Sequence, residues 1–181
     1  MKKLLVIVDM QNDFITGTLA NVEGQKIVDK IADYAKRFQG DIIATQDTHD
    51  NDYLVTQEGQ NLPVPHCIKR SYGWDIVPEI RKVLDERIDN RNIINDVQTQ
   101  TIAKPTFGSK QLGQLIADRG YAEVEICGVC TDICVISNAL LIKAFSPEAK
   151  ITVHKDLCAG VTPESHETAL KAMQACQINV I

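Results

Sequence analysis

Five stretches, residues 4–8, 41–45, 124–128, 151–154 and 178–181, are rich in β-branched and other apolar residues and show no polar alternation. Continuous runs of this kind predict strands buried on both faces, as in a parallel sheet. A sixth, less regular run at residues 93–103 predicts another strand. Between them the period changes. Residues 23–38 carry Ile27, Ile31, Ala35 and Phe38 at helical spacing. Residues 109–118 read as a helix that stops at Arg119-Gly120, a basic last turn followed by glycine. Residues 133–145 are apolar on nearly every side, which predicts a buried helix ended by Ser146-Pro147. Residues 163–176 form a last helix, with Thr162 as N-cap and Pro163 in the first turn.

Strands alternating with helices imply an α/β fold: a single three-layer α/β/α domain over residues 1–181, with a mostly parallel, Rossmann-like sheet. Residues 48–73 interrupt the pattern, with two prolines and little periodicity. Long irregular segments inside compact domains are usually functional or disordered.

Composition narrows the partners. The chain has 181 residues, 44% hydrophobic and 24% charged, with a net charge of −5. An acidic balance argues against a nucleic-acid backbone or an anionic membrane as the main partner. The opening apolar run stops at Asp9, short of a leader's hydrophobic region, and no run approaches the ~18 residues of a membrane span. A cytoplasmic protein is expected. Six cysteines are then read as reduced thiols, because a chain with a sizeable core needs no disulfides.

Ligands in open α/β sheets bind beyond the carboxyl ends of the strands. Asp9 follows the first run, Asp47 and His49 the second, Lys104 the irregular one, and Cys130 to Cys134 the fourth. Cys134 is the candidate nucleophile. With Thr131 as cap it occupies the third position of the buried helix, where free N–H groups and the helix dipole favour a thiolate. Those N–H groups also face the place where an oxyanion forms. A plain buried cysteine is the competing reading. Asp9 closes an apolar strand, where a carboxylate is costly without a partner or a task. It is suited to take the thiol proton and return it to an amine, while Lys104 holds its charge.

These positions carry a family resemblance. Asp9-Met10-Gln11-Asn12-Asp13-Phe14 resembles the D-x-Q-N-D-F opening of isochorismatase-like cysteine hydrolases, a family that includes the nicotinamidases. Lys104-Pro105-Thr106-Phe107-Gly108-Ser109 resembles their K-P-x-x-S-x-F segment, and Gly128-Val129-Cys130-Thr131-Asp132-Ile133-Cys134-Val135 their G-V-x-T-D-x-C-V turn. Ala159-Gly160-Val161-Thr162-Pro163 is similar to their final loop and helix. The resemblance implies a triad of Asp9, Lys104 and Cys134, and a cis peptide between Val129 and Cys130. It also implies an oxyanion hole from the amides of Cys130 and Cys134, and hydrolysis of a small carboxamide, nicotinamide first, through a thioester.

Asp47, His49 and His66 supply one carboxylate and two imidazoles, ligands that suit zinc, with iron or manganese as alternatives. Two exposed histidines on a loop are the competing reading. The set resembles the nicotinamidase D-x-H and its later His-Cys segment, here Pro63-Val64-Pro65-His66-Cys67, with Glu58 as a further candidate. In that family the metal holds the pyridine nitrogen. Phe14 and Phe107 are pocket-wall candidates, and Trp74 is a third unless it serves packing. Three departures bear on the substrate: Pro63 stands where nicotinamidases often carry an aromatic residue, the Lys104 loop lacks their longer insert, and its Phe precedes its Ser. A metal-free relative acting on another amide, an N-carbamoyl compound or isochorismate therefore stays open, as does a non-enzymatic binding module. A redox reading of Cys127 and Cys130 fails if Cys127 lies inside the strand. The family's assemblies make a homo-oligomer an expectation.

Overall fold

The computed structural model describes residues 2–89 and 100–181. Six strands, β1 (Lys3–Val8), β2 (Asp41–Asp47), β3 (Gln100–Lys104), β4 (Glu123–Val129), β5 (Lys150–Ala159) and β6 (Asn179–Val180), form one sheet in the order β3-β2-β1-β4-β5-β6. Every pairing is parallel. The order is that of the doubly wound dinucleotide-binding sheet, and it reverses direction between β1 and β4. Part of the run expected at residues 93–103 lies outside the described residues.

The apolar runs form strands because both sheet faces are covered. Leu4 to Val8 have no exposure at all. Helices α3 (Val28–Arg37) and α5 (Pro78–Asp89) pack together, as do α6 (Lys110–Arg119), α7 (Ile136–Phe145) and α8 (Pro163–Ala175). Right-handed crossovers in this strand order put the two groups on opposite faces, which gives the three layers. Caps fix their ends. Ser109 accepts the Leu112 amide, Thr162 and Ser165 form a reciprocal capping box, and Gly120 closes α6 at φ +64°. Among the described residues no helix is long and apolar enough to cross a membrane.

Several boundaries differ from expectation. After the short α1 (Asn12–Ile15), the helix expected at residues 23–38 is two, α2 (Val22–Gln25) and α3, with a break at Lys26 and Ile27. Ile27 stays buried, so the apolar spacing runs through the break unchanged. The irregular residues 48–73 hold a 3-10 turn (Tyr53–Val55) and α4 (Gln57–Asn61). A bridge between His49 and Ile68 ties the two ends of this segment together. Helix α5, with Pro78 at its start and Ile80, Val83 and Leu84 buried, had no counterpart in the sequence reading.

Gly128, just before the β4 carboxyl end, adopts φ +119°, and a Cβ there meets the Val8 carbonyl oxygen at 2.1 Å. The obstacle is backbone of the central strand, which cannot swing aside. Gly128→Ala is therefore expected to cost about 3 kcal/mol or more, read as a lower urea midpoint with an unchanged slope. A midpoint within experimental error of the parent contradicts this close β1–β4 contact.

Candidate active site

At the β1 carboxyl end the backbone turns at Asp9 to φ +48°, unusual outside glycine. The turn places its carboxylate, 0% exposed, over the switch point. Asp9 Oδ1 accepts the Thr45 hydroxyl at 2.6 Å, and Oδ2 lies 2.6 Å from Lys104 Nζ. Lys104, at the end of β3 and paired in register with Asp47 of β2, is 1% exposed. Its ammonium also lies 3.3 Å from Asp47 Oδ1 and 3.4 Å from Cys134 Sγ. A buried lysine is rare unless paired, and here two carboxylates surround it. The strand ends thus bring Asp9, Lys104 and Cys134 to one point.

The Val129–Cys130 peptide is cis. Beyond it, Thr131–Val135 form a wide π turn that leads into α7. The Cys130 carbonyl accepts the amides of both Ile133 and Val135. Thr131 does not cap this turn: its hydroxyl lies 2.7 Å from His166 Nδ1, and Cys130 holds the cap position. Cys134 is therefore the fourth residue of the turn, not the third.

Burial and neighbouring charge act against the preference for a thiolate that the helix start supplies. Burial pushes the Cys134 thiol well above its usual range, the Asp9 carboxylate adds to the rise, and Lys104 opposes it. Asp9 itself is raised, by burial first and by the Asp47 charge, against the pull of Lys104. Burial works against the Lys104 charge, but the Asp9 carboxylate, the Cys134 sulfur and Asp47 hold its pKa above the ordinary value. A protonated thiol beside a carboxylate of raised proton affinity, under a fixed ammonium, suits proton transfer on attack.

Beside this group Asp47, His49, Glu58 and His66 offer donor atoms that all lie within 4.8 Å of one another. Asp47 Oδ2 is 3.0 Å from His49 Nε2 and 3.4 Å from His66 Nε2, and Glu58 Oε1 is 3.5 Å from His49 Nε2. The Thr56-capped α4 delivers Glu58, and the His49–Ile68 bridge brings His66 back to the sheet. His66 Nδ1 lies 2.8 Å from the Val64 carbonyl. A carbonyl only accepts, so Nδ1 carries a hydrogen, which leaves Nε2, on the carboxylate side of the ring, as the nitrogen able to ligate a metal. Two carboxylates and two imidazoles converging in this way fit a divalent metal ion. Gln11, fully buried, steadies the set: its side chain donates to the Asp47 carbonyl and accepts the Asp47 amide.

A cavity of about 640 Å³ opens above both groups, and Phe14, Asp47, Glu58, His66, Phe107 and Cys134 line it. Cys130 lines it too, as do Leu62 and Val161, which the sequence reading did not single out. Trp74 does not reach it; its indole N–H donates to the Thr48 hydroxyl. Cys127 is fully buried in β4, with its sulfur 3.7 Å from the Val6 carbonyl, and stays away from Cys134.

Residues 3–181 match the isochorismatase domain family model. An uncharacterized isochorismatase family protein, PncA of Bacillus subtilis, is 31% identical over 176 residues, covering 94% of this chain and 93% of that protein. The crystal structure of a nicotinamidase/pyrazinamidase PncA from Bacillus subtilis superposes with a TM-score of 0.84 at 25% identity over 99% of each chain. A pyrazinamidase of Pyrococcus horikoshii in complex with zinc gives 0.78 at 27% identity, covering 100% of this chain and 99% of that one.

Proposed function

The chain belongs to the isochorismatase family, and from that premise we propose that it is a cysteine amidohydrolase converting nicotinamide to nicotinate and ammonia. The observation that carries the proposal is the approach of Cys134 Sγ, Lys104 Nζ and the Asp9 carboxylate beside a cavity that Cys134 lines together with Asp47, Glu58 and His66, three of the four clustered donors. Similarity to a nicotinamidase/pyrazinamidase over nearly the whole chain supports the substrate.

In this reading the carboxamide lies between Phe14 and Phe107 with its carbonyl carbon over Cys134. Sγ attacks as its proton passes to Asp9, and the oxyanion is received by the amides of Cys130 and Cys134. Asp9 returns the proton to nitrogen, and ammonia leaves a thioester on Cys134. Water then attacks the thioester with Asp9 as base, and nicotinate departs as the thiol is restored. Lys104 keeps Asp9 charged when the proton is away. Asp47, His49, His66 and Glu58 hold a divalent metal, which when bound supplies a Lewis-acid anchor for a ring nitrogen. Zinc suits two imidazoles with carboxylates, and the Pyrococcus horikoshii pyrazinamidase was crystallised with zinc. That donor cluster favours this reading over a metal-free relative. The free cysteines are consistent with a reducing, cytoplasmic setting.

The direct test is ammonia release from nicotinamide by the purified protein, as isolated, after chelation, and after zinc is returned. Release that falls on chelation and recovers with zinc is expected. A folded protein that releases no ammonia with zinc, iron or manganese refutes nicotinamide as its substrate.

A further inference from the structure

Asn138 lies in the first turn of α7 and is 0% exposed. Asparagine is a mediocre helix former, and burying an amide is costly unless it is hydrogen-bonded. Its bonds all go to backbone. Nδ2 donates to the Cys134 carbonyl at 2.8 Å and to the Phe107 carbonyl at 3.1 Å, while Oδ1 accepts the Ser109 amide at 2.9 Å. The orientation is forced, since a flipped amide sets NH₂ against an N–H and oxygen against two carbonyls.

One buried side chain thus joins the turn bearing Cys134 to the loop that runs from Lys104 to the N-cap of α6. That loop carries the Phe107 wall. It also rests directly on α7: a Cβ on Gly108 meets the Ser137 carbonyl oxygen at 3.1 Å and the Leu141 side chain at 2.6 Å. An apolar residue at position 138 fills space equally well but leaves one N–H and two carbonyls without these partners.

We propose that Asn138 is a positioning residue that sets Cys134 against the Phe107 wall, holding the nucleophile turn with one bond and the substrate-side loop with two. This rests on the reading of Cys134 as nucleophile and Phe107 as wall.

The two halves separate by substitution. In Asn138→Thr the hydroxyl donates back to the carbonyl four residues earlier, that of Cys134, but is too short to hold the loop. Asn138→Leu removes all three bonds. Three readouts are compared with the parent: alkylation of Cys134 by iodoacetamide followed by peptide mass spectrometry, hydrogen exchange over residues 105–112, and kcat and KM for nicotinamide. In both variants exchange over the loop is expected to speed up and KM to rise about tenfold, the scale of losing such bonds. Alkylation rate and kcat are expected to stay within about twofold of the parent in Asn138→Thr, and to fall about tenfold in Asn138→Leu.

Unchanged loop exchange and KM in Asn138→Thr overturn the proposal, and that variant decides the matter alone if Asn138→Leu does not fold. Identical alkylation rates in Thr and Leu variants overturn the nucleophile half. A parent that releases no ammonia refutes the nicotinamide reading instead, while alkylation and exchange still report on Asn138.

Discussion

Alanine at position 134 is expected to abolish ammonia release from nicotinamide, with kcat down by about 10⁴-fold or more, the scale of removing a covalent nucleophile. The loss follows from the route itself: without Sγ no thioester forms, and water in the cavity must attack a resonance-stabilised amide unaided. Cys134→Ser is expected to fare little better. Burial already raises the Cys134 thiol well above its usual range, and a hydroxyl in the same place starts from a far weaker acid. Neither change disturbs the fold much. The sulfur lies at the edge of the cavity and its removal deletes one atom, so a loss of about 1 kcal/mol in stability is the ceiling. Substrate still binds, because the Phe14 and Phe107 walls and the His66 side of the cavity are untouched. The measurements are ammonia release, nicotinamide binding by calorimetry, and intact-mass detection of an acyl adduct in the parent alone. Equal turnover by parent and Cys134→Ala removes cysteine catalysis from the account.

Much of this arrangement is legible in the sequence because a parallel sheet covered on both faces requires uninterrupted apolar strands. The same rule explains where the reading stopped short. Strand β5 continues to Ala159, pairing Cys158 and Ala159 with Gly128 and Val129, though its apolar run ends at His154. Lys155 and Asp156 are exposed there, so hydrophobicity no longer reports the strand. Helix α5 is rich in charge, and the apolar side chains Ile80, Val83 and Leu84 form too narrow a stripe to stand out. At the site, residue types and their places after strands brought into view the groups that the fold gathers. Their electrostatics stayed hidden. Local position at a helix start argued for a thiolate, whereas the thiol's surroundings come from β1 and β3, distant in sequence. Asn138 is the extreme case: its partners Phe107 and Ser109 lie some thirty residues away, and nothing in the helix pattern marks it.

Methionine at position 104 is expected to carry the largest combined penalty, in stability and in turnover. It nearly matches the length of lysine but leaves Asp9 and Asp47 facing each other without the cation between them. Exposed pairs such as Lys26–Glu23 contribute at most about 1 kcal/mol. Lys104 and Asp9 are almost wholly buried, and removing one member of a buried pair costs about 3–5 kcal/mol because the other charge is stranded. The sign of the pH dependence follows from Asp9. Its carboxyl is already raised in the folded protein, with Lys104 pulling it down, so the substitution raises it further. A carboxyl whose folded pKa exceeds its unfolded one adds stability below the unfolded pKa and loses it as pH rises through the folded pKa. The gap between Lys104→Met and the parent should therefore be widest at neutral pH and narrow on acidification, in urea titrations of both proteins after chelation. Turnover is expected to drop by about 10³-fold, within the range for a disabled general base, since an Asp9 that keeps its own proton cannot take one from Cys134. A gap that stays constant from neutral pH into acid means that Asp9 is not the stranded charge, and the coupling of Lys104 to the proton-transferring carboxylate then fails with it.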